Sequence, residues 1–363
     1  MSSTALNCRH GIVCYLPDDP FGYFGWPSIA CQADGTIVVA ASGFRKAHVC
    51  PWGKTIICRS TDNGKSWTSP QVINDTPLDD RDAGIISLGG QRLALTWFTS
   101  NTTVYLKPDP QTGWAPELRE TGVILDTWTT EMCSRHIGSW IRISPDGHYW
   151  GETLQAPVNT PHGFIILKDG SWLYLGKKWD IDLRTALHIH NTPIQACRSM
   201  DEGKTWEMLG AVPLPPGLNN DLVHEPHVIE LNDGSLLGAI RAHAPLRTIL
   251  THSYDGGKTW SCAEDIGIPG APPHLLRHSS GAIILVYGYR LEPFGQRVMI
   301  SWDEGKTWQK DLILRDDGPN LDLGYPASIE LPDNSILTIY YQALKAGDKT
   351  GILYTKWQLP TQM

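Results

Sequence analysis

Arg81, Glu225 and Tyr325 share a register that places three reactive side chain types at equivalent positions along the chain. Six small turns are centred on Gly35, Gly90, Gly170, Gly234, Gly281 and Asn334. Counting nine residues back from each lands on Trp26, Arg81, Pro161, Glu225, Pro272 and Tyr325. If every turn closes the same kind of hairpin, these six residues open equivalent strands and form a ring. A ring lining an inert channel would be small or apolar. A guanidinium, a carboxylate and a phenol are suited instead to polar ligand contact or chemistry. A slip of one residue keeps Asp82, His162 and His224 or His227 in the candidate set.

The elements that must position this ring are short and repeated. Four copies of Ser-x-Asp-x-Gly-Lys-Ser/Thr-Trp occur, at Ser60 to Trp67, Ser199 to Trp206, Ser253 to Trp260 and Ser301 to Trp308, with a decayed fifth at Ser144 to Trp150. Asp can close a turn on backbone N–H groups two or three residues on, Gly supplies a positive φ, and Trp can plug the space between sheets. The motif is therefore read as structural, and Asp62, Asp201, Asp255 and Asp303 are set aside as catalysts. Runs such as Thr36-Ile37-Val38-Val39-Ala40 and Ser335-Ile336-Leu337-Thr338-Ile339 flank the small turns and read as strands. Six hairpins predict an all-β, six-bladed propeller formed by one domain over residues 1–363, its sixth blade closed by a strand around Gly11 to Leu16. No long helical period is expected.

The repeated turn resembles the Asp box of sialidases and sialidase-like propellers, a likeness that runs the length of the chain. It implies a nucleophilic tyrosine in Gly324-Tyr325-Pro326, helped by a carboxylate in His224-Glu225-Pro226. A tyrosine of pKa near 10 needs such a base. The resemblance also implies an arginine clamp on a substrate carboxylate, a task suited to the planar guanidinium fork. Arg241 matches one member and Arg297 another, with Arg290 as the alternative. Two family positions are altered. The segment Phe24-Gly25-Trp26-Pro27 lacks the first arginine, so Arg45 or Arg81 would have to substitute. The loop Arg45 to Gly53 lacks the acid/base aspartate and offers His48 as its only proton shuttle. In Asp79-Asp80-Arg81-Asp82, Asp80 or Asp82 could supply that acid or orient Arg81, with orientation preferred.

The expected function is an exo-acting glycoside hydrolase on an acidic terminal sugar. Tyr325, Glu225, His48 and Asp82 are the catalytic candidates. Arg241, Arg297, Arg290, Arg45, Arg81, Trp26, His162 and His227 are the binding candidates. The alternatives are a lyase or hydrolase on rhamnose–glucuronate linkages acting through His48, and a carbohydrate-binding propeller without activity. No cofactor is expected. In His224-Glu225-Pro226-His227 strand alternation would put Glu225 and His227 on one face and His224 on the other, which gives no metal set. A net charge of −8 argues against nucleic acid, and no apolar run suits a membrane span. Eight scattered cysteines and the absence of a leader-like segment suggest free thiols and a cytoplasmic setting.

Overall fold

The computed structural model describes residues 6–182, 187–189 and 191–360. Six four-stranded antiparallel sheets follow one another around a ring, the first five running outward in chain order, so the chain is a six-bladed β-propeller. The innermost strands of blades one to six are Tyr23–Cys31, Asp79–Ser87, Ile165–Ile166, Val223–Glu230, Pro273–Arg277 and Gly324–Glu330. The outermost strand of blade six is Arg9–Cys14, paired antiparallel with Gly351–Trp357 from Arg9 opposite Lys356 to Ile12 opposite Leu353. The N-terminal strand thus closes the ring by joining both ends of the chain in one blade, and it covers the edge of Gly351–Trp357.

Continuous apolar strands follow from each blade being covered on both faces. In Ile37–Arg45, Ile37, Val39 and Ala41 pack with Leu337, Ile339 and Tyr341 of blade six. The alternate residues Val38 and Ala40 pack with Ala83, Ile85 and Leu95 of blade two. Burying each Val, Leu or Ile side chain stabilises the ring by about 1.5–3 kcal/mol.

The repeated turns join neighbouring blades at the outer end of these sheets. In the first copy, Asp62 Oδ1 accepts from the Lys65 and Ser66 backbone N–H groups at 3.0 and 2.9 Å, and Gly64 N donates to Ser60 Oγ at 2.9 Å. The glycine lets the turn lie against the preceding blade. A β-carbon on Gly64 would lie 3.2 Å from Leu337 of blade six, and one on Gly305 3.0 Å from Leu237 of blade four.

Two features depart from a plain propeller. Between Leu93–Ser100 and Gly138–Ser144, blade two carries an insertion with two short helices, Arg119–Leu125 and Thr130–His136. In blade three a two-stranded hairpin, Asp180–Asp182 with Leu187–Ile189, projects between the second and third strands. Both lie at the same end of their sheets as the loop that carries His48.

Candidate active site

Four innermost strands break their ladder where the ring residues lie. Pairing skips between Gly25 and Ser28, Arg81 and Gly84, His224 and His227, and Gly324 and Ala327. At each break a non-glycine residue has left-handed backbone: Trp26 (φ 54°), Asp82 (φ 50°), Glu225 (φ 52°) and Tyr325 (φ 50°). Such a conformation costs on the order of 1–3 kcal/mol for a residue with a side chain, and strain of this kind gathers at functional sites. A bulge also re-aims a side chain that a regular strand would direct into the sheet stack.

The bulges of blades two, four and six bring Asp82, Glu225 and Tyr325 into one pocket of about 440 Å³, which His48, Arg81 and Arg241 also line. The Tyr325 hydroxyl donates to Glu225 Oε1. Arg241 Nη1 donates to Glu225 Oε2 at 2.7 Å and to the Tyr325 oxygen at 3.2 Å. Burial alone would raise the Glu225 carboxyl, but Arg241 and the Tyr325 hydroxyl outweigh it and hold it down at about 2. Burial, reinforced by the Glu225 charge, pushes the Tyr325 phenol well above the ordinary tyrosine value. At rest the proton therefore sits on the phenol.

Arg81 stacks over the Trp26 ring at 4.2 Å, and Arg290 approaches the Tyr325 ring at 5.9 Å while Nε donates to the Leu323 carbonyl. Arg241 thus touches the phenol oxygen, Arg290 lies against its ring, and Arg81 lines the same pocket from the Trp26 side. Asp82 Oδ1 is buried without a partner, and burial, then the nearby Glu225 charge, pushes its carboxyl up to about 7 against the pull of Arg81. On the far wall, His48 Nδ1 lies 2.8 Å from Asp322 Oδ1 and 3.0 Å from the Tyr23 hydroxyl. Among the described residues no group of three or more His, Cys, Asp or Glu is arranged to hold a metal ion.

A family model described as a BNR repeat-like domain matches residues 125–339, more than half of the chain. The chain belongs to the BNR repeat-like family. No curated protein matches it. Among solved structures, a Dyadobacter fermentans protein of unknown function superposes with a TM-score of 0.75 at 22% identity, over 97% of this chain and 99% of that one. A Hadza microbial sialidase gives 0.67 at 15% identity, over 96% and 68% of the two chains. Trypanosoma rangeli sialidase gives 0.65 at 14% identity, over 97% of this chain and 60% of that one. At these identities the likeness is one of fold, and the propeller is sialidase-like.

Several candidates occupy other places in this BNR-repeat propeller. Arg45 is fully buried, with Nη1 and Nη2 on Asp79 at 2.5 and 2.9 Å and further bonds to Ser42 and the His48 carbonyl. Those bonds leave it as a brace of the His48 loop rather than a ligand clamp. Arg297 is 5% exposed and donates to the carbonyls of Gln296, Arg315 and Pro293, so it too is spent on backbone, and its place beside Tyr325 falls to Arg290. Trp26 is wholly buried and forms the floor beneath Arg81 rather than a sugar platform.

The histidines are also rearranged. His162 and His227 join His274 in a buried trio with ring centroids 4.3–5.6 Å apart, outside the pocket lining. Strict alternation fails at Glu225 because the bulge inserts a residue: His224 and Glu225 both line the pocket, whereas His227 does not. The ion pair to Arg81 comes from Asp79, at 3.6 Å, and not from Asp82. Asp80 is consumed by Thr76, Thr99 and Asn74.

Nine-residue counting points to Arg81 in blade two, while the bulge residue is Asp82. The turn there is bracketed by a bond from Leu88 N to Arg92 O, as the blade-one turn is by Gln32 N to Thr36 O, which makes Gln91 the counterpart of Gly35. Asp322, Tyr23, Lys177 and Tyr105 were not singled out by pattern. Tyr105 enters from the blade-two insertion, whose one sequence signal is the roughly eighty-residue interval between the second and third turns.

Proposed function

We propose that this protein is an exo-acting glycoside hydrolase of the sialidase-like class that releases an acidic terminal sugar from glycans. One observation carries the reading: the Tyr325 hydroxyl is bonded to Glu225 while Arg241 touches both groups, inside a pocket lined also by Arg81. Glu225 takes the phenolic proton as the Tyr325 oxygen bonds to the anomeric carbon, and the leaving oxygen receives a proton from His48 or Asp82. Water then releases the sugar from tyrosine. A tyrosine nucleophile is a recognised departure from the paired-carboxylate rule for glycosidases. Arg81, Arg241 and Arg290 provide carboxylate recognition.

Arg241 gives the site an order of events. In the empty pocket it keeps Glu225 strongly acidic and thus a weak base. A substrate carboxylate that recruits Arg241 loosens that hold and lets Glu225 accept the proton. A neutral sugar could bind without activating Tyr325. The names of two structural neighbours, both sialidases, support the class.

The test is product mass after incubation with sialylated and uronate-capped oligosaccharides. A released acidic sugar carrying one added water is expected. The His48–Asp322 contact favours a second reading, elimination across a uronate, which would yield one unsaturated product and no added water. Binding without any product from either substrate class would make the propeller a carbohydrate-binding module and refute both enzymatic readings.

A further inference from the structure

We infer that Asp322 is the positioning residue of the site, fixing His48 with its proton on Nδ1 so that Nε2 faces the pocket as the proton-transfer atom. The inference rests on the catalytic reading of the pocket and adds a residue that neither the turn pattern nor the ring register reaches.

The geometry is a carboxylate held from three sides. Asp322 Oδ1 lies 2.8 Å from His48 Nδ1. The Tyr23 hydroxyl donates to Asp322 at 3.0–3.1 Å, and the Tyr341 hydroxyl donates to Oδ1 at 3.1 Å. Asn320 Oδ1 accepts from the Asp322 backbone N–H at 2.8 Å and pins the segment. A carboxylate receiving two phenolic protons and an imidazole proton is an acceptor only, so His48 must present Nδ1–H to it. His48 Nε2 has no hydrogen-bond partner among the described residues, and the side chain is 45% exposed at the pocket wall. The Trp26 ring meets the imidazole edge-on at 5.0 Å and limits its rotation.

The surroundings explain why the imidazole needs this partner. Partial loss of water at the pocket wall lowers its proton affinity, and the guanidinium charges of Arg81 and Arg45 act in the same direction. Asp322 opposes them. Its own carboxyl lies below the ordinary value, because His48 and the Tyr23 and Tyr341 hydroxyls outweigh the burial that would raise it. Asp322 lies three residues before Tyr325, while His48 comes from the blade-one loop. The pair therefore spans the seam where the ring closes and sets the proton-transfer atom against the nucleophile's blade.

The chemistry balances without any added group. In hydrolysis, protonated Nε2 gives its proton to the glycosidic oxygen as the C–O bond breaks, and the bond's electron pair stays on that oxygen. Neutral Nε2 then takes a proton from the attacking water. In elimination, neutral Nε2 takes the proton from the carbon beside the carboxylate, and the freed electron pair forms the new double bond as the C–O bond on the next carbon breaks. The departing oxygen keeps that bond's pair and takes a proton from the Tyr325 hydroxyl. Asp322 orients the ring in each case.

The test is imidazole ¹H–¹⁵N correlation spectroscopy on the full chain, with His48 identified by loss of its signals in His48→Gln. The wild-type protein should show His48 protonated on Nδ1 when neutral, with Nε2 bare. In Asp322→Asn that preference should be lost and the His48 titration midpoint should move down. Turnover of whichever acidic oligosaccharide the product-mass assay finds cleaved should fall roughly ten- to a hundredfold with little change in KM, and its pH profile should shift with the NMR midpoint. An Nε2–H tautomer in the wild type, or the same His48 midpoint in Asp322→Asn, overturns the inference. The wild-type spectrum decides the matter even if Asp322→Asn does not fold. Lack of cleavage of every glycan would instead sink the hydrolase reading and leave the spectra to judge Asp322 alone.

Discussion

Tyr325, Glu225 and Arg241 form a unit in which each group sets the state of the next. The arginine keeps the carboxylate charged, and burial, reinforced by that carboxylate, keeps the phenol protonated. Replacing Tyr325 with Phe removes the reacting oxygen and little volume. Turnover should fall about a thousandfold or more while ligand affinity stays within a few fold, which paired kinetic and calorimetric measurements would check. The arginines divide by their partners. Arg290→Ala should raise KM for an acidic sugar without unfolding the protein. Arg45→Ala should strip buried Asp79 of its two short bonds and leave it only the 3.6 Å contact with Arg81, at a cost of about 3–5 kcal/mol in urea unfolding. Equal loss of stability in both variants would contradict this division of roles.

At the scale of the element, the bulged inner strand and the repeated outer turn do separate work. The bulge aims chemistry into the channel at one end of the blade. The Ser-x-Asp-x-Gly turn fastens the other edge to the preceding blade. Gly305 shows the constraint, since it combines φ 83° with a position where a β-carbon would come within 3.0 Å of Leu237. Gly305→Ala should therefore destabilise the fold by about 1–2 kcal/mol while leaving catalytic constants unchanged. A change in kcat larger than the loss in folded fraction would tie the outer turn to the pocket and refute this separation.

Closure and acid response belong to the whole molecule. Deleting residues 1–14 strips the outer strand from blade six and exposes the edge of Gly351–Trp357. A lower melting temperature and association on size exclusion are expected. The trio of His162, His227 and His274 comes from three different blades and is held neutral by burial, with His162 down at about 3 and the others also well below the ordinary histidine value. Unfolded histidines take up protons below about pH 6.5. The trio's contribution is therefore complete above that pH and is lost as pH falls toward 3. Asp80 and Asp82, both pushed up to about 7 chiefly by burial, act in the opposite direction over the same range. The trio's share is isolated by comparing wild type with His162→Gln at pH 7 and pH 5. The variant's loss between those values should be smaller by about 2 kcal/mol. An identical loss in both proteins would show that His162 titrates normally.

The sequence by itself determined the propeller and the register of its ring. Both depend on local physics: a turn with a fixed glycine, a run of β-branched residues, and a repeat that cannot bury its faces alone. Glu225 and Tyr325 were legible because a constant offset from the turn survives in their blades. The Arg81–Asp82 offset was blurred because the Leu88–Arg92 turn closes one residue later. Only the tertiary structure decided what each arginine is held against. Arg45, Arg297 and Arg290 are the same residue type at similarly suggestive positions, yet buried Asp79 claims the first, backbone carbonyls claim the second, and the third points to Tyr325. It alone decided the split of His224 from His227, since a bulge reverses alternation without leaving a mark in composition. Asp322 meets His48 across 274 residues of chain at the closing seam. Such a contact exists only once the ring has closed.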